Sequence, residues 1–184
     1  MLLCKTFFRL RAKGAENIPA NGPAVVAANH SSYLDPIVLS VSIPRRIKWI
    51  VRKDVYDVWW LKWLFILAGT IRENGSVGKA LHALEGEDVI GVFPEGGRSP
   101  DGRLGDGKKG IAVMALKSGA TVLPCAVRGA FKAYPRSAVL PRPYPVEVCI
   151  GKALQFKKIA APDEKEIDSA LARIMSAIKS LMEE

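Results

Sequence analysis

The sequence predicts an α/β fold, with a single domain over residues 1–184. A largely parallel or mixed sheet is flanked by helices, with the active site beyond strand carboxyl ends. Three observations predict this. Residues 23–28 and 89–93 are short apolar runs suited to strands buried on both faces. Helical spacing marks the segments between and after them, at Val77, Ala80, Leu81 and Leu84 and again at Ile167, Leu171, Ile174, Ile178 and Leu181. No internal repeat or low-complexity linker divides the chain, and its 184 residues suffice for one core.

Phe8, Leu10 and Ala12 alternate with Arg9, Arg11 and Lys13, which predicts a half-buried first strand. Residues 14–23 form a turn-rich connection, and the buried strand 23–28 ends at Asn29 and His30. Asp35 and Pro36 are an N-cap and first-turn pair for a helix reaching about Ile43. Residues 47–51 form a strand, Asp54 caps a helix to about Leu67, and residues 70–72 add a very short strand. The helix of Val77 to Leu84 leads into the strand 89–93 and a glycine-rich stretch over 94–110. Residues 111–117 are helical, Gly119 stops that helix, and 121–127 are a strand. Strands over 144–150 and 154–156 follow, then a final helix opened near Pro162.

Composition excludes several classes. With 49% hydrophobic and 24% charged residues the chain is ordinary globular protein, so disorder is not expected. The apolar stretch 58–71 holds 14 residues and is interrupted by Lys62, short of the roughly 17–25 a spanning helix needs. No leader with a cleavage site is expected. Cys4, Cys125 and Cys149 are odd in number and scattered, which fits a reducing compartment rather than a disulfide framework. Two distant histidines and no Cys-x-x-Cys give no metal site. The charge of +9 favours an anionic partner: nucleic acid, lipid head groups or a phosphorylated substrate. Dispersed cations and the lack of a zinc-finger or RNP pattern argue against nucleic acid.

Two segments carry chemistry. In the first, Asn29-His30-Ser31-Ser32-Tyr33-Leu34-Asp35 follows a buried strand. Residues five apart on one helix lie about 140° apart and would not meet. If His30 stays in the loop while Asp35 opens the helix, the chain folds back and the carboxylate can orient the imidazole as a general base. Alternatively, Asp35 only caps and His30 only ends a strand. In the second, Phe93-Pro94-Glu95-Gly96-Gly97-Arg98-Ser99 also follows a buried strand, so both segments can share one crevice. Its glycines admit an anion to the backbone and Arg98 offers a bidentate fork for phosphate. The competing reading is a solvated surface turn.

Together these segments resemble the PlsC-like glycerolipid acyltransferases, a family that includes lysophosphatidic acid acyltransferases. His30 and Asp35, with Asn29 before them, match the family's His-x4-Asp motif. Residues 93–99 match its Phe-Pro-Glu-Gly-Thr-Arg-Ser block, with Gly97 in place of threonine. Residues 69–72 are similar to the block ending in a substrate-binding arginine, with compressed spacing, and Val122-Leu123-Pro124 to a late strand. Lys108-Lys109-Gly110 resembles the lysine-glycine after the glutamate block, so the likeness runs from about Gly14 to Val127.

The resemblance implies that His30 is the base and Asp35 its orienting partner, with no acyl-serine. It implies an acceptor site of Glu95, Gly96, Gly97 and Arg98, with Arg72 as a second phosphate ligand. The expected reaction moves a fatty acyl group from acyl-CoA or acyl-carrier protein to the free hydroxyl of lysophosphatidic acid, yielding phosphatidic acid. No metal or organic cofactor is implied beyond the donor. The alternatives are another lysolipid or lipid-like acceptor, a catalytically silent lipid-binding protein, and metal-assisted hydrolysis by His30, Asp35 and Glu95, which has too few ligands. The expected partners are the lysophospholipid, the thioester carrier and an anionic membrane surface, and the expected location is cytoplasmic, peripheral on that face of the membrane. Trp49, Trp59, Trp60, Trp63 and Phe65 near Lys53 and Lys62 fit lipid contact, or equally a helix packed on the sheet. Leu2, Leu3, Phe7 and Phe8 are open to the same two readings, and His82 has no assigned role.

Overall fold

The computed structural model describes residues 2–51, 71–72 and 76–183. Its strands are β1 (Arg11–Lys13), β2 (Ala24–Ala28), β3 (Ile47–Val51), β4 (Ile71–Arg72), β5 (Val89–Val92), β6 (Thr121–Arg128) and β7 (Glu147–Ile150). The helices are α1 (Leu2–Phe7), α2 (Asp35–Ser42), α3 (Ser76–Glu85), α4 (Gly110–Ser118), α5 (Ala130–Ala133) and α6 (Glu164–Glu183). The seven strands lie in the order β1-β7-β6-β2-β5-β3-β4. The sheet is mixed, because β7 runs antiparallel to β6 while the other described pairings are parallel.

The apolar run of β2 puts it near the middle of the sheet, between β6 and β5, with all five residues buried. Because side chains alternate across a strand, Ala24, Val26 and Ala28 join one core while Val25 and Ala27 join the other. The first core takes Val38, Leu39 and Ile43 at α2, together with Ala130 and Ala133 of α5. The second takes Ala80 and Leu84 of α3, Ile111, Ala112, Met114 and Ala115 of α4, and Ala170, Ile174 and Ile178 of α6. The helical stripe read in the sequence is thus the buried face of α6. Gly119 ends α4 in the left-handed region, at φ 69°.

Several elements differ from the sequence reading. The alternation over residues 8–12 builds only the edge strand β1, whose three residues are all exposed. Phe8 is buried ahead of it, and Arg9 adopts a positive φ of 46°, which breaks the strand geometry. Asp35 opens α2 but makes no N-cap hydrogen bond, because its carboxylate is turned back toward the preceding loop. The expected strand 154–156 contracts to one bridge between Val122 and Leu154, and β7 begins at Glu147 rather than Tyr144. Helix α5 was not anticipated. The helix expected from Asp54, with Lys53, Trp59, Trp60, Lys62, Trp63 and Phe65, lies outside the described residues, as do the side chains of Leu2 and Leu3. No helix among the described residues is long and apolar enough to cross a membrane.

Beyond the last rung of β2, Asn29 extends the sheet with its side chain. Its Oδ1 accepts the Val127 N–H at 2.7 Å and its Nδ2 donates to the Val127 carbonyl at 3.1 Å. Asn29→Ala should cost about 1–3 kcal/mol in urea denaturation, since it strands both backbone groups in a buried place. A loss below half a kcal/mol would mean that the clamp is not stabilising.

Candidate active site

Strands β2 and β5 are neighbours in parallel register, with Ala27 opposite Val92. Their carboxyl ends therefore deliver residues 29–35 and 93–99 to the same rim of the sheet. There the first loop folds back on itself. Asp35 Oδ2 lies 2.9 Å from His30 Nδ1 and accepts the backbone N–H groups of Ser31 and Ser32, each at 2.7 Å. One oxygen thus gathers three contacts, while Oδ1 has no hydrogen-bond partner among the described residues. Asp35 is fully buried and the His30 side chain is 17% exposed, so the dyad has a dry end and an accessible one. With Nδ1 facing the carboxylate, Nε2 is the nitrogen that can take a proton from an incoming group.

Rings hold the imidazole from below. His30 stacks on Phe93 at 3.9 Å and 14°, and Phe93 stacks on Trp49 at 4.8 Å and 10°. Trp49 donates from Nε1 to Ser40 Oγ at 3.0 Å and lies directly over Gly91, where any Cβ would collide with the indole. Of the two readings open for Trp49, lipid contact or packing on the sheet, the structure takes the second: the ring is core, 6% exposed.

The second loop grips the backbone of the first. Glu95 accepts the His30 N–H on Oε1 at 2.7 Å and the Gly105 N–H on Oε2 at 2.9 Å, while the Ser99 N–H donates to the His30 carbonyl at 2.7 Å. Both peptide groups of His30 are therefore bound by the glutamate loop. Burial raises the Glu95 carboxyl above its ordinary range, and the two N–H donors only partly offset that. Ser99 is itself fixed, donating to Asp101 Oδ1 and accepting the Gly102 N–H.

Arg98 stands beside the dyad, its guanidinium 3.5 Å from the ring centroid of Tyr33. Its Nη1 is buried and finds no hydrogen-bond partner among the described residues. A buried donor in that state is suited to an anionic ligand. Gly96 has φ 68°, and the Lys108 side chain lies over it, bringing a second cation to the loop. A Cβ at Gly97 would meet nothing within 4 Å, so its missing side chain leaves open space. Arg72 ends β4 opposite Val51, and its side chain lies outside the described residues. Of the candidates, His30, Asp35, Glu95, Gly96, Gly97 and Arg98 thus lie on two joined loops.

Tyr33, Phe93 and Lys108 are site residues that motif reading gave no role of their own. Tyr33 and Phe93 lie inside the two motifs, but their ring contacts depend on the fold. Lys109, next to Lys108, is engaged elsewhere, at 3.0 Å from both Glu164 and Asp168. His82 is exposed and faces Glu85 at 3.5 Å. Among the described residues no group of three or more His, Cys, Asp or Glu stands ready for a metal ion. On the other flank of the first loop, a cavity of about 670 Å³ is lined by Ser31, Arg9, Arg11, Arg128, Lys132 and Tyr144, among others.

A family model described as Acyltransferase matches residues 9–128. A chloroplastic 1-acyl-sn-glycerol-3-phosphate acyltransferase of Arabidopsis thaliana is 30% identical over 138 residues, covering 70% of this chain and 38% of the plant protein. A 1-acyl-sn-glycerol-3-phosphate acyltransferase of Chlamydomonas reinhardtii is 30% identical over 184 residues, covering 94% of this chain and 54% of its own length. This chain therefore spans about two-fifths to one-half of these two relatives. The crystal structure of the 1-acyl-sn-glycerophosphate (LPA) acyltransferase PlsC from Thermotoga maritima matches with a TM-score of 0.74 at 25% identity, covering 93% of this chain and 72% of that one.

Glu95 generates a pH prediction. Its folded-state carboxyl holds a proton more tightly than the unfolded one, so its ionisation works against folding as pH climbs from the ordinary value of about 4.3. Glu95→Gln removes the titrating carboxyl, so the variant's stability should fall less than that of wild type as pH rises from about 4 toward neutrality, although it loses a charged acceptor. Urea midpoints across that range test this, and parallel curves would show that Glu95 does not titrate against folding.

Proposed function

The chain belongs to the acyltransferase family, and from that premise we propose that it moves a fatty acyl group from acyl-CoA or acyl-carrier protein to the free hydroxyl of lysophosphatidic acid. His30 Nε2 takes the hydroxyl proton as the oxygen attacks the thioester carbonyl. A carbon–oxygen bond forms, the carbon–sulfur bond breaks, and the departing sulfur receives the proton from His30. Asp35 fixes the ring orientation and stabilises the imidazolium. The observation that carries this reading is the juxtaposition of the His30–Asp35 dyad with Arg98, whose buried Nη1 is unpaired among the described residues. A hydroxyl and a phosphate on one small molecule match that pair of groups.

Lys108 over Gly96 supports the same acceptor assignment, with Arg72 as a further phosphate ligand. Glu95 serves the site by positioning, since each of its oxygens holds a backbone N–H. The cavity beside Ser31 is lined by Arg9, Arg11, Arg128 and Lys132 against Asp101 and Glu147, a cationic excess that suits a phosphate-bearing carrier of the thioester. The relatives named for this acceptor support the choice of lysophosphatidic acid, and the charge of +9 supports peripheral attachment to an anionic, cytoplasmic membrane face.

His30→Ala should lower kcat by roughly 100-fold or more, the usual scale for a lost general base. Asp35→Asn should also be severe, because Oδ2 organises the loop as well as the ring. Release of free thiol from acyl-CoA in the presence of lysophosphatidic acid measures this, and a folded His30→Ala protein with near-normal turnover would remove the base. Arg98→Ala should raise KM for the phosphate acceptor about tenfold or more and leave KM for the donor nearly unchanged. Arg98→Lys should recover only part of the loss, as it lacks the planar fork over Tyr33. Equal losses with a neutral lysolipid would refute a phosphate-specific role.

A further inference from the structure

The chain between α5 and β7 leaves the body of the protein and exposes its apolar side chains. Val139 is 88% exposed and Leu140 77%, far beyond the other large hydrophobics of the described residues, of which the next is Ile37 at 50%. The protrusion is built. The Ala138 N–H donates to the Pro135 carbonyl at 3.0 Å, and the Arg142 N–H to the Ala133 carbonyl at 2.8 Å. Arg142 Nε donates to the Lys132 carbonyl at 2.6 Å, and the Tyr134 hydroxyl to the Val139 carbonyl at 3.3 Å. Pro135, Pro141 and Pro143 stiffen the stem further. An aliphatic tip held out into water by this many contacts is a cost unless something covers it.

Charge and position indicate what does. Arg136 and Arg142 flank the tip in the chain and are both exposed. The tip also connects to the acceptor side of the site through rings. Tyr134, which holds Val139, lies 5.8 Å from Tyr33, and Tyr33 lies under the Arg98 guanidinium. The Tyr134 carbonyl accepts the Ser32 hydroxyl at 2.8 Å, so the base of the protrusion is bonded to the loop that carries His30. An apolar point flanked by cations fits a bilayer with anionic head groups, the aliphatic pair entering the acyl region and the cations resting on phosphates.

We propose that Val139 and Leu140 insert into an anionic bilayer with Arg136 and Arg142 at its head groups, so that Tyr33 and Arg98 face the membrane from which a lipid acceptor is drawn. This rests on the acceptor being a lipid. The test is co-sedimentation with vesicles of phosphatidylcholine and phosphatidylglycerol at low salt. Val139→Ser with Leu140→Ser should weaken binding about tenfold or more, and Arg136→Glu should weaken it in a salt-dependent way. Both variants change exposed side chains and should fold as the wild type does.

A second measurement locates the contact. A fluorophore on Leu140→Cys should shift blue on adding vesicles, while one on Lys117→Cys, in the helix layer over the opposite sheet face, should not. The native thiols compete poorly, since Cys4, Cys125 and Cys149 are buried and burial raises the last two. Failure of wild type to sediment, binding unchanged in the serine double variant, or an unshifted Leu140→Cys label would each overturn the proposal. Binding that salt abolishes but the serine variant leaves intact would mean a charge-only contact and would overturn insertion as well. Acylation of a soluble short-chain lysophosphatidic acid without vesicles reports on the enzymatic reading separately. An inactive wild type there would sink that reading, and the vesicle measurements would still decide the loop.

Discussion

The site depends on one oxygen atom. Asp35 Oδ2 collects the His30 ring and the N–H groups of Ser31 and Ser32, and this folds a five-residue separation into a 2.9 Å contact. A continuous helix would have pointed the two side chains apart. The carboxylate is wholly buried, so its charge depends on these donors instead of water, and losing one would cost far more than at the surface. The rest of the architecture keeps that oxygen in place. Pro36 follows Asp35 in the first turn of α2, and Val38, Leu39 and Ile43 anchor that helix in the core below the sheet rim.

Two neighbouring carboxylates have different electrostatic tasks. Asp35 faces a ring nitrogen and two amides at close range. Glu95 is only half-buried and holds two amides, one on each oxygen, and desolvation outweighs them. One carboxylate meets His30 at the ring and the other at the backbone, which separates orientation of the imidazole from attachment of the loop. Cations then gather around the loops. Arg98 sits over Tyr33, Lys108 over Gly96, and Arg9, Arg11 and Lys132 beside the cavity behind Ser31. An anion reaching the second loop meets the charges of Arg98 and Lys108.

Much of this was legible in the residues. The buried strands at 24–28 and 89–92 announced themselves by apolar runs, and the motifs at their carboxyl ends placed six of seven candidate residues on two adjacent loops. What escaped was set by tertiary contact. Nothing local marks Phe93 as a platform for His30, or Trp49 as the support beneath it, because that stack joins β3, β5 and the first loop. Helix α5 has only four residues, too few for a periodic signal. The alternation at residues 8–12 was real, but a positive φ at Arg9 and an edge position left only three residues as strand. Asp35 reads both as a cap and as a carboxylate folded back onto His30, and the fold keeps the second without the cap bond, since the carboxylate also turns to the Ser31 and Ser32 amides.

The grip of the second loop on His30 has a further consequence. With the N–H of His30 held by Glu95 and its carbonyl by Ser99, the histidine is threaded into the glutamate loop much as a strand residue is threaded into a sheet. The two loops therefore form one mechanical unit. An insertion or deletion in either would drag the imidazole with it, whereas exchanging a side chain, as at the open space beside Gly97, would not. Change that leaves the imidazole in place is thereby channelled into substitutions at fixed loop length, which alter the walls around it.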